Sequence, residues 1–224
     1  MLLYRVPLLV QKLLPRVLWR GPREDEVYLT FDDGPDPVGT KLVLELLAAH
    51  GCPATFFVTG ARAATHPHLV RAIVQAGHGL GSHSFHHTRL AHLSTQALVG
   101  ELLRADRLLA SILGWAPCYF RPPYGTLTPA MVKAAARCGK TIVMWTASTS
   151  DYHPQADPAR IARWLRRHVR GGDIVLLHDG LPTSSRTAQA LALFLPHLTT
   201  LGLHGAVLPG AAAAEKKGDI TLDI

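Results

Sequence analysis

The stretch VYLTFDDGPDP, Val27 to Pro37, decides the fold. It opens as an alternating apolar run, Val27 to Phe31, of the β-branched and aromatic residues that favour a strand. The run stops at two adjacent aspartates, and Gly34, Pro35 and Pro37 then break the chain. Neighbouring carboxylates at a strand end repel each other. The pair therefore marks either a solvated turn or a place where a cation sits between them.

Working outward from this strand, the same pattern recurs. Further strands are predicted at Ala54–Val58, Gly79–Ser82, Cys118–Phe120, Thr141–Trp145, Ile174–Leu177 and Ala206–Leu208. Helical periodicity fills the intervals at Thr40–Ala49, Pro67–Ala76, Thr95–Leu113, Pro129–Cys138, Pro158–Val169 and Thr187–Leu201. Pro67, Pro129 and Pro158 suit first turns, where a missing N–H costs nothing, and Gly77 and Gly139 suit C-terminal caps. Strands alternating with helices imply a parallel sheet covered by helices. About seven such units in one domain favour a barrel, complete or nearly so. A dinucleotide-binding sheet would carry a glycine-rich fingerprint after its first strand, and DDGPDP is not one.

Composition supports one globular domain: 224 residues, 48% hydrophobic and 17% charged. The formal charge of +7 favours anionic partners, but no nucleic-acid-reading motif is present. Three distant cysteines, Cys52, Cys118 and Cys138, make neither a zinc pair nor a disulfide framework and read as free thiols. Residues 1–26 form an apolar and basic extension, interrupted by Arg5, Lys12, Arg16 and Arg20. It has no membrane-length apolar run and no clear cleavage site, so it is expected to pack on the domain or lie on a membrane surface through residues 1–20. The domain proper is expected at 27–209, followed by a polar tail at 210–224.

The polar clusters fall after strands: DDGP after the first, HSFHH after the third, RPPYG after the fourth, STSDY after the fifth and HDG after the sixth. In a parallel α/β barrel these loops share one rim, and that rim carries the chemistry. His83 and His87, four apart, share a face of a helical turn and can bind one ion. Asp32 or Asp33 can complete a His–His–carboxylate set, which leaves positions open for water and substrate. The remaining aspartate can take a proton from water. His178, at the end of a buried run, can donate one, although alone it reads equally well as a rim histidine. Arg121 can orient the free aspartate, and Asp151 can hold His178, with a structural ion pair and an Asx turn as the alternatives.

TFDDGP, HSFHH, RPPYG, SDY and LLH, in this order and with these gaps, resemble the polysaccharide deacetylases of the NodB-homology type, carbohydrate esterase family 4, over Val27 to Leu208. The resemblance implies a single distorted (β/α)7 barrel. It implies Asp32 as general base, Asp33, His83 and His87 as metal ligands, and Ser84 as support for their loop. It further implies that Arg121 orients the base, that the backbone N–H of Tyr124 meets an oxyanion, and that His178 is the acid tuned by Asp151. Leu176 and Tyr152 would line the acetyl pocket; Tyr152 stands where the family often has Trp, which narrows the wall and adds a hydroxyl. His86 is read as a bystander.

The function implied is hydrolysis of acetyl groups, N-acetyl foremost and O-acetyl esters as a variant, from a carbohydrate or polysaccharide. The cofactor implied is Zn2+ or another divalent cation such as Co2+. A same-fold hydrolase of small non-sugar amides and a silent glycan-binding module are the alternatives. A monomer is expected, either cytoplasmic or peripheral at the membrane, with export to the envelope open. The arginines of the helix after the fifth strand, Arg160, Arg163, Arg166, Arg167 and Arg170, read as a solvated outer face.

Overall fold

The computed structural model describes residues 4–211. Strand β1 (Tyr4–Arg5), helix α1 (Leu8–Leu13) and β2 (Val17–Leu18) precede the central strand β3 (Glu26–Asp32). Then come α2 (Gly39–Ala49), β4 (Thr55–Val58), α3 (Gly60–Thr65), α4 (Pro67–Gln75), β5 (Gly79–Ser82) and α5 (Thr95–Leu113). They are followed by β6 (Tyr119–Phe120), α6 (Pro129–Arg137), β7 (Thr141–Val143), β8 (Ala147–Ser148) and α7 (Pro158–His168). β9 (Ile174–His178), α8 (Ser184–Phe194) and β10 (His204–Gly205) complete the order.

The strands run β1-β8-β9-β3-β4-β5-β6-β7-β2, with β10 beside β3, and all pairings are parallel except β1 with β8. The sheet curls until one segment serves both of its ends. β7 pairs with β6, and three residues later β8 pairs with β9. The result is a distorted (β/α)7 barrel, the architecture of its structural neighbours.

Strand periodicity sorts the side chains into two layers. Val27, Leu29 and Phe31 join Phe56, Val58, Val175 and Leu177 in the layer under the helices. Tyr28, Phe57, Ile174 and Leu176 belong to the second core, inside the curl. The same alternation carries Thr30 and Asp32 to the inner face, and register sets Asp32 opposite His178. β3 is thus buried on both faces, as central parallel strands are. Its inner face ends in the first aspartate.

Local chemistry sets the helix ends. The Ser94 and Thr128 hydroxyls and the Asp157 carboxylate accept N–H groups of the first turns of α5, α6 and α7. Gly114 closes α5 with φ of 84°.

Four features depart from the sequence pattern. The helix expected over 187–201 starts at Ser184, stops at Phe194 and continues as two 3-10 turns, because Pro196 cannot donate a helical N–H. The last strand lies at His204–Gly205 rather than Ala206–Leu208. β4 begins opposite Thr30, which leaves only the foot of β3 free, so β10 pairs with Glu26 and Val27 alone. The strand expected over 141–145 ends at Val143, since the chain must turn before rejoining the sheet as β8. The helix α3, six residues long, is too short to show periodicity.

The N-terminal segment adds β1 and β2 to the two ends of the sheet and buries Trp19. Arg5 and Arg20 both reach the fully buried Asp173, at 2.5 and 3.3 Å. Of the expected C-terminal tail, Gly210 and Ala211 are described, and the Ala211 carbonyl accepts from Leu80 N at 2.8 Å. The rest of that tail lies outside the described residues. Cys52, Cys118 and Cys138 are free thiols.

Candidate active site

Five non-glycine residues among those described have positive φ: Asp33, Ser84, His87, Tyr124 and Ser150. Every one belongs to a polar loop that follows a strand. Such conformations cost of order 1 kcal/mol or more each, and they persist where surroundings fix them. Three of them, Asp33, His87 and Tyr124, line one cavity of about 720 Å³ together with Asp32, His83, His178 and aromatic walls.

Asp32 leaves the inner face of β3 beside Arg121. The guanidinium is fully buried, and its Nη1 donates to Asp32 Oδ1 at 2.7 Å and to Thr30 Oγ1 at 2.8 Å. Nη2 and Nε donate to the Met144 and Val143 carbonyls at 3.1 and 3.3 Å. The ring of Phe57 lies 4.1 Å from the guanidinium carbon. A carboxylate gripped this way is held in a single orientation.

Asp33, next in the chain, has the opposite surroundings. Its Oδ1 is buried and accepts no hydrogen bond among the described residues, yet His87 Nε2 lies 3.0 Å away and His83 Nε2 3.5 Å away. His83 Nδ1 stands 2.7 Å from the Arg121 carbonyl, which can only accept, so the proton sits on Nδ1 and the Nε2 lone pair faces the cluster. Burial first, and then its neighbour His83, push the His87 pKa below the ordinary histidine value, which favours the neutral ligand form. Ligand atoms of Asp33, His83 and His87 all lie within 4.8 Å of one another. Three acceptors converging without a donor fit a divalent cation.

The histidine spacing achieves this without a helical turn. Residues 83–87 form a bend in which Ser84 and His87 are left-handed, and the Ser84 hydroxyl accepts from His87 N at 3.1 Å. Glu101 of α5 accepts from Phe85 N at 3.0 Å and fixes the bend from outside. His86 is exposed at the cavity rim and is absent from the ligand cluster.

His178 ends β9 with Nδ1 2.8 Å from Asp151 Oδ1. Asp151 is fully buried and fully met: Thr149 Oγ1 donates to Oδ1 at 3.0 Å, while His178 N and Thr187 Oγ1 donate to Oδ2 at 2.8 and 2.7 Å. Burial opposes the imidazolium, but the Asp151 carboxylate outweighs it and raises the His178 pKa to about 9. For Asp151, burial works upward, and His178 with the surrounding donors carries the pKa below the ordinary value.

Tyr124 is left-handed, its ring 4.7 Å from that of His87 and its hydroxyl 3.3 Å from the His87 carbonyl. Leu176 and Tyr152 line the cavity, and the Tyr152 ring meets His178 edge-on at 5.5 Å. Every sequence-predicted residue therefore borders the cavity or anchors one that does.

Four contributors were not singled out in the sequence. Thr30 shares the inner face with Asp32 two residues before it, a signal readable from strand period. Thr187 lies on α8, and nothing local reveals its partner. Trp145 forms an inner wall of the cavity from the bend between β7 and β8. Asp179, beside His178, is fully buried under the Asp32–Asp33 turn. Its N–H donates to the Asp32 carbonyl at 3.2 Å, and Thr40 donates to its Oδ2. Burial raises its pKa to about 7, against the Thr40 bond, with Asp33 and Asp32 adding to the rise. A side chain at Gly34 would place Cβ 2.6 Å from the Asp179 oxygens, so glycine is required where the two loops interlock.

The profile of polysaccharide deacetylases matches residues 20–143, which include Asp32, Asp33, His83, His87 and Arg121. The chain belongs to the polysaccharide deacetylase family. Among its family relatives, a peptidoglycan-N-acetylglucosamine deacetylase of Bacillus cereus is 36% identical over 191 residues, 83% of this chain and 88% of that one. A chitooligosaccharide deacetylase of a Bradyrhizobium species is 36% identical over 196 residues, 82% of this chain and 89% of that one. A solved peptidoglycan N-acetylglucosamine deacetylase bound to an N-oxidanyl-benzamide superposes with a TM-score of 0.82 at 30% identity, over 88% of this chain and 92% of that one. The deacetylase relatives thus extend past the profile match, across the region that holds Asp151 and His178.

Proposed function

We propose that this member of the family removes acetyl groups from polymers or oligomers of N-acetylglucosamine, using a divalent cation held by Asp33, His83 and His87. Two imidazoles and a carboxylate suit Zn2+, with Co2+ as a substitute. When bound, the ion supplies Lewis-acid polarisation and lowers the pKa of water.

The chain's own residues do the rest. Asp32, oriented by Arg121, takes a proton from the attacking water. The Tyr124 N–H stabilises the oxyanion formed at the acetyl carbonyl. His178, protonated at neutral pH through Asp151, gives its proton to the departing amine. Leu176 and Tyr152 hold the acetyl methyl, and the cavity extends beyond them with room for the sugar.

The observation that carries this reading is the division between the paired aspartates. Asp32 is met by a buried arginine, while Asp33 faces two imidazole nitrogens with no donor of its own. The test is acetate release from N-acetylglucosamine oligomers and peptidoglycan, compared with acetylated xylan and simple acetamides. Activity is measured after chelation and after return of Zn2+ or Co2+. Release from the glucosamine substrates alone, restored by metal, supports the proposal; equal turnover of simple amides, or activity indifferent to chelation, overturns it.

A further inference from the structure

Exposed apolar residues are concentrated at one place. Of twelve large hydrophobic side chains exposed among the described residues, five lie within Tyr4–Leu13. Helix α1 has no buried residue at all, and Leu8, Leu9 and Leu13 are 64–70% exposed. Packing on the barrel is therefore not what these leucines do. Lys12 and Arg16, also exposed, have no hydrogen bond or ion pair among the described residues, and no acidic residue occurs before Glu24.

Helix α7 supplies charge next to it. Ile161, Ala162 and Leu165 pack inward, while Arg160, Arg163, Arg166 and Arg167, with Arg170 just beyond, are exposed, and their guanidinium groups pair with no carboxylate among the described residues. Arg5 joins the two elements: its Nη1 donates to the carbonyl of His168, the last residue of α7, at 2.6 Å. Leu8 follows Arg5 by three residues, a reach of about 10 Å. The last residue of α7 is thus tied to the segment that leads into α1.

We propose that α1 and the arginine face of α7 dock this protein on an anionic lipid surface. Leucines that enter the acyl boundary, flanked by cations that meet headgroups, use both halves of the face. A second copy of the chain would bring like charges together, and an anionic polymer would leave the leucines in water. No helix of the described residues is long and apolar enough to cross a membrane. The inference is independent of the proposed reaction.

The test is sedimentation of the full chain with phosphatidylcholine vesicles, with and without phosphatidylglycerol. The chain co-sediments with the anionic vesicles, and added salt releases it. Leu8→Ser/Leu9→Ser/Leu13→Ser lowers that binding about tenfold or more. Arg163→Gln/Arg167→Gln lowers it about fivefold per charge. Both variants keep the circular dichroism melting curve of the parent. Retention of the parent in the supernatant, or undiminished binding by either folded variant, overturns the proposal. So does a dimer in sedimentation equilibrium that the leucine variant dissolves with its vesicle binding unchanged.

Discussion

The cavity has two halves that treat their acceptors differently. In the half made by Asp32, Arg121, Asp151 and His178, every carboxylate has its donors in the protein: Arg121 for Asp32, and His178, Thr149 and Thr187 for Asp151. In the half made by Asp33, His83 and His87, lone pairs converge and Asp33 Oδ1 accepts no hydrogen bond. Buried acceptors without donors are costly, and in the proposed function a cation would meet them. The first half is preorganised by the chain alone. The polypeptide thus fixes Asp32 and His178 with its own hydrogen bonds and leaves unmet acceptors beside them among the described residues.

The comparison can be broken at four points. Asp33→Ala, which removes the anionic ligand, is expected to lose both bound metal and deacetylation to background, read by elemental analysis and acetate release. An active variant with full metal content would erase the distinction between the halves. Asp32→Asn is expected to keep its metal while kcat drops about 10²–10⁴-fold, the usual contribution of a positioned base. Metal loss in that variant would put both aspartates in one role.

Asp151→Asn sharpens the preorganised half. It is expected to lower kcat about 10–100-fold, as loss of a supporting carboxylate does. In the metal-free protein the His178 resonance is expected to titrate near 9 and in the variant to move down, because only Asp32 and Asp33 then oppose burial. The same pair stabilises the fold with a definite pH window. A folded pKa above the unfolded one means the stabilisation is complete below about 6.5 and is lost as pH rises through about 9. Thermal melting of the metal-free parent and Asp151→Asn should therefore converge at high pH. The smallest effect is expected from Thr187→Val, which removes one of four donors to Asp151 and costs about 1 kcal/mol in chemical denaturation.

Much of this was legible in the chain. β3 and β9 are recognisable as runs of β-branched, aromatic and aliphatic residues, and Pro129, Pro158, Gly77 and Gly139 mark helix ends by local stereochemistry. Asp32, Asp33, His83, His87 and His178 draw attention as polar groups set against apolar strand ends. Less could be read where long-range partners decide. The turn between β7 and β8 exists because one segment must serve two edges of the sheet. The N-terminal segment has a helix-like apolar pattern, yet two of its pieces pair with strands more than a hundred residues away.

By itself, the sequence determined the alternation of strands and helices, the loops in which the chemistry collects and the residue types it uses. These follow from side-chain period and local backbone preference. Which aspartate is gripped by Arg121 and which is left facing the histidines was decided only by the tertiary structure. The two are identical in chemistry and adjacent in the chain. Strand register turns Asp32 inward toward a buried guanidinium, and a left-handed backbone at Asp33 turns its carboxylate toward lone pairs from another loop.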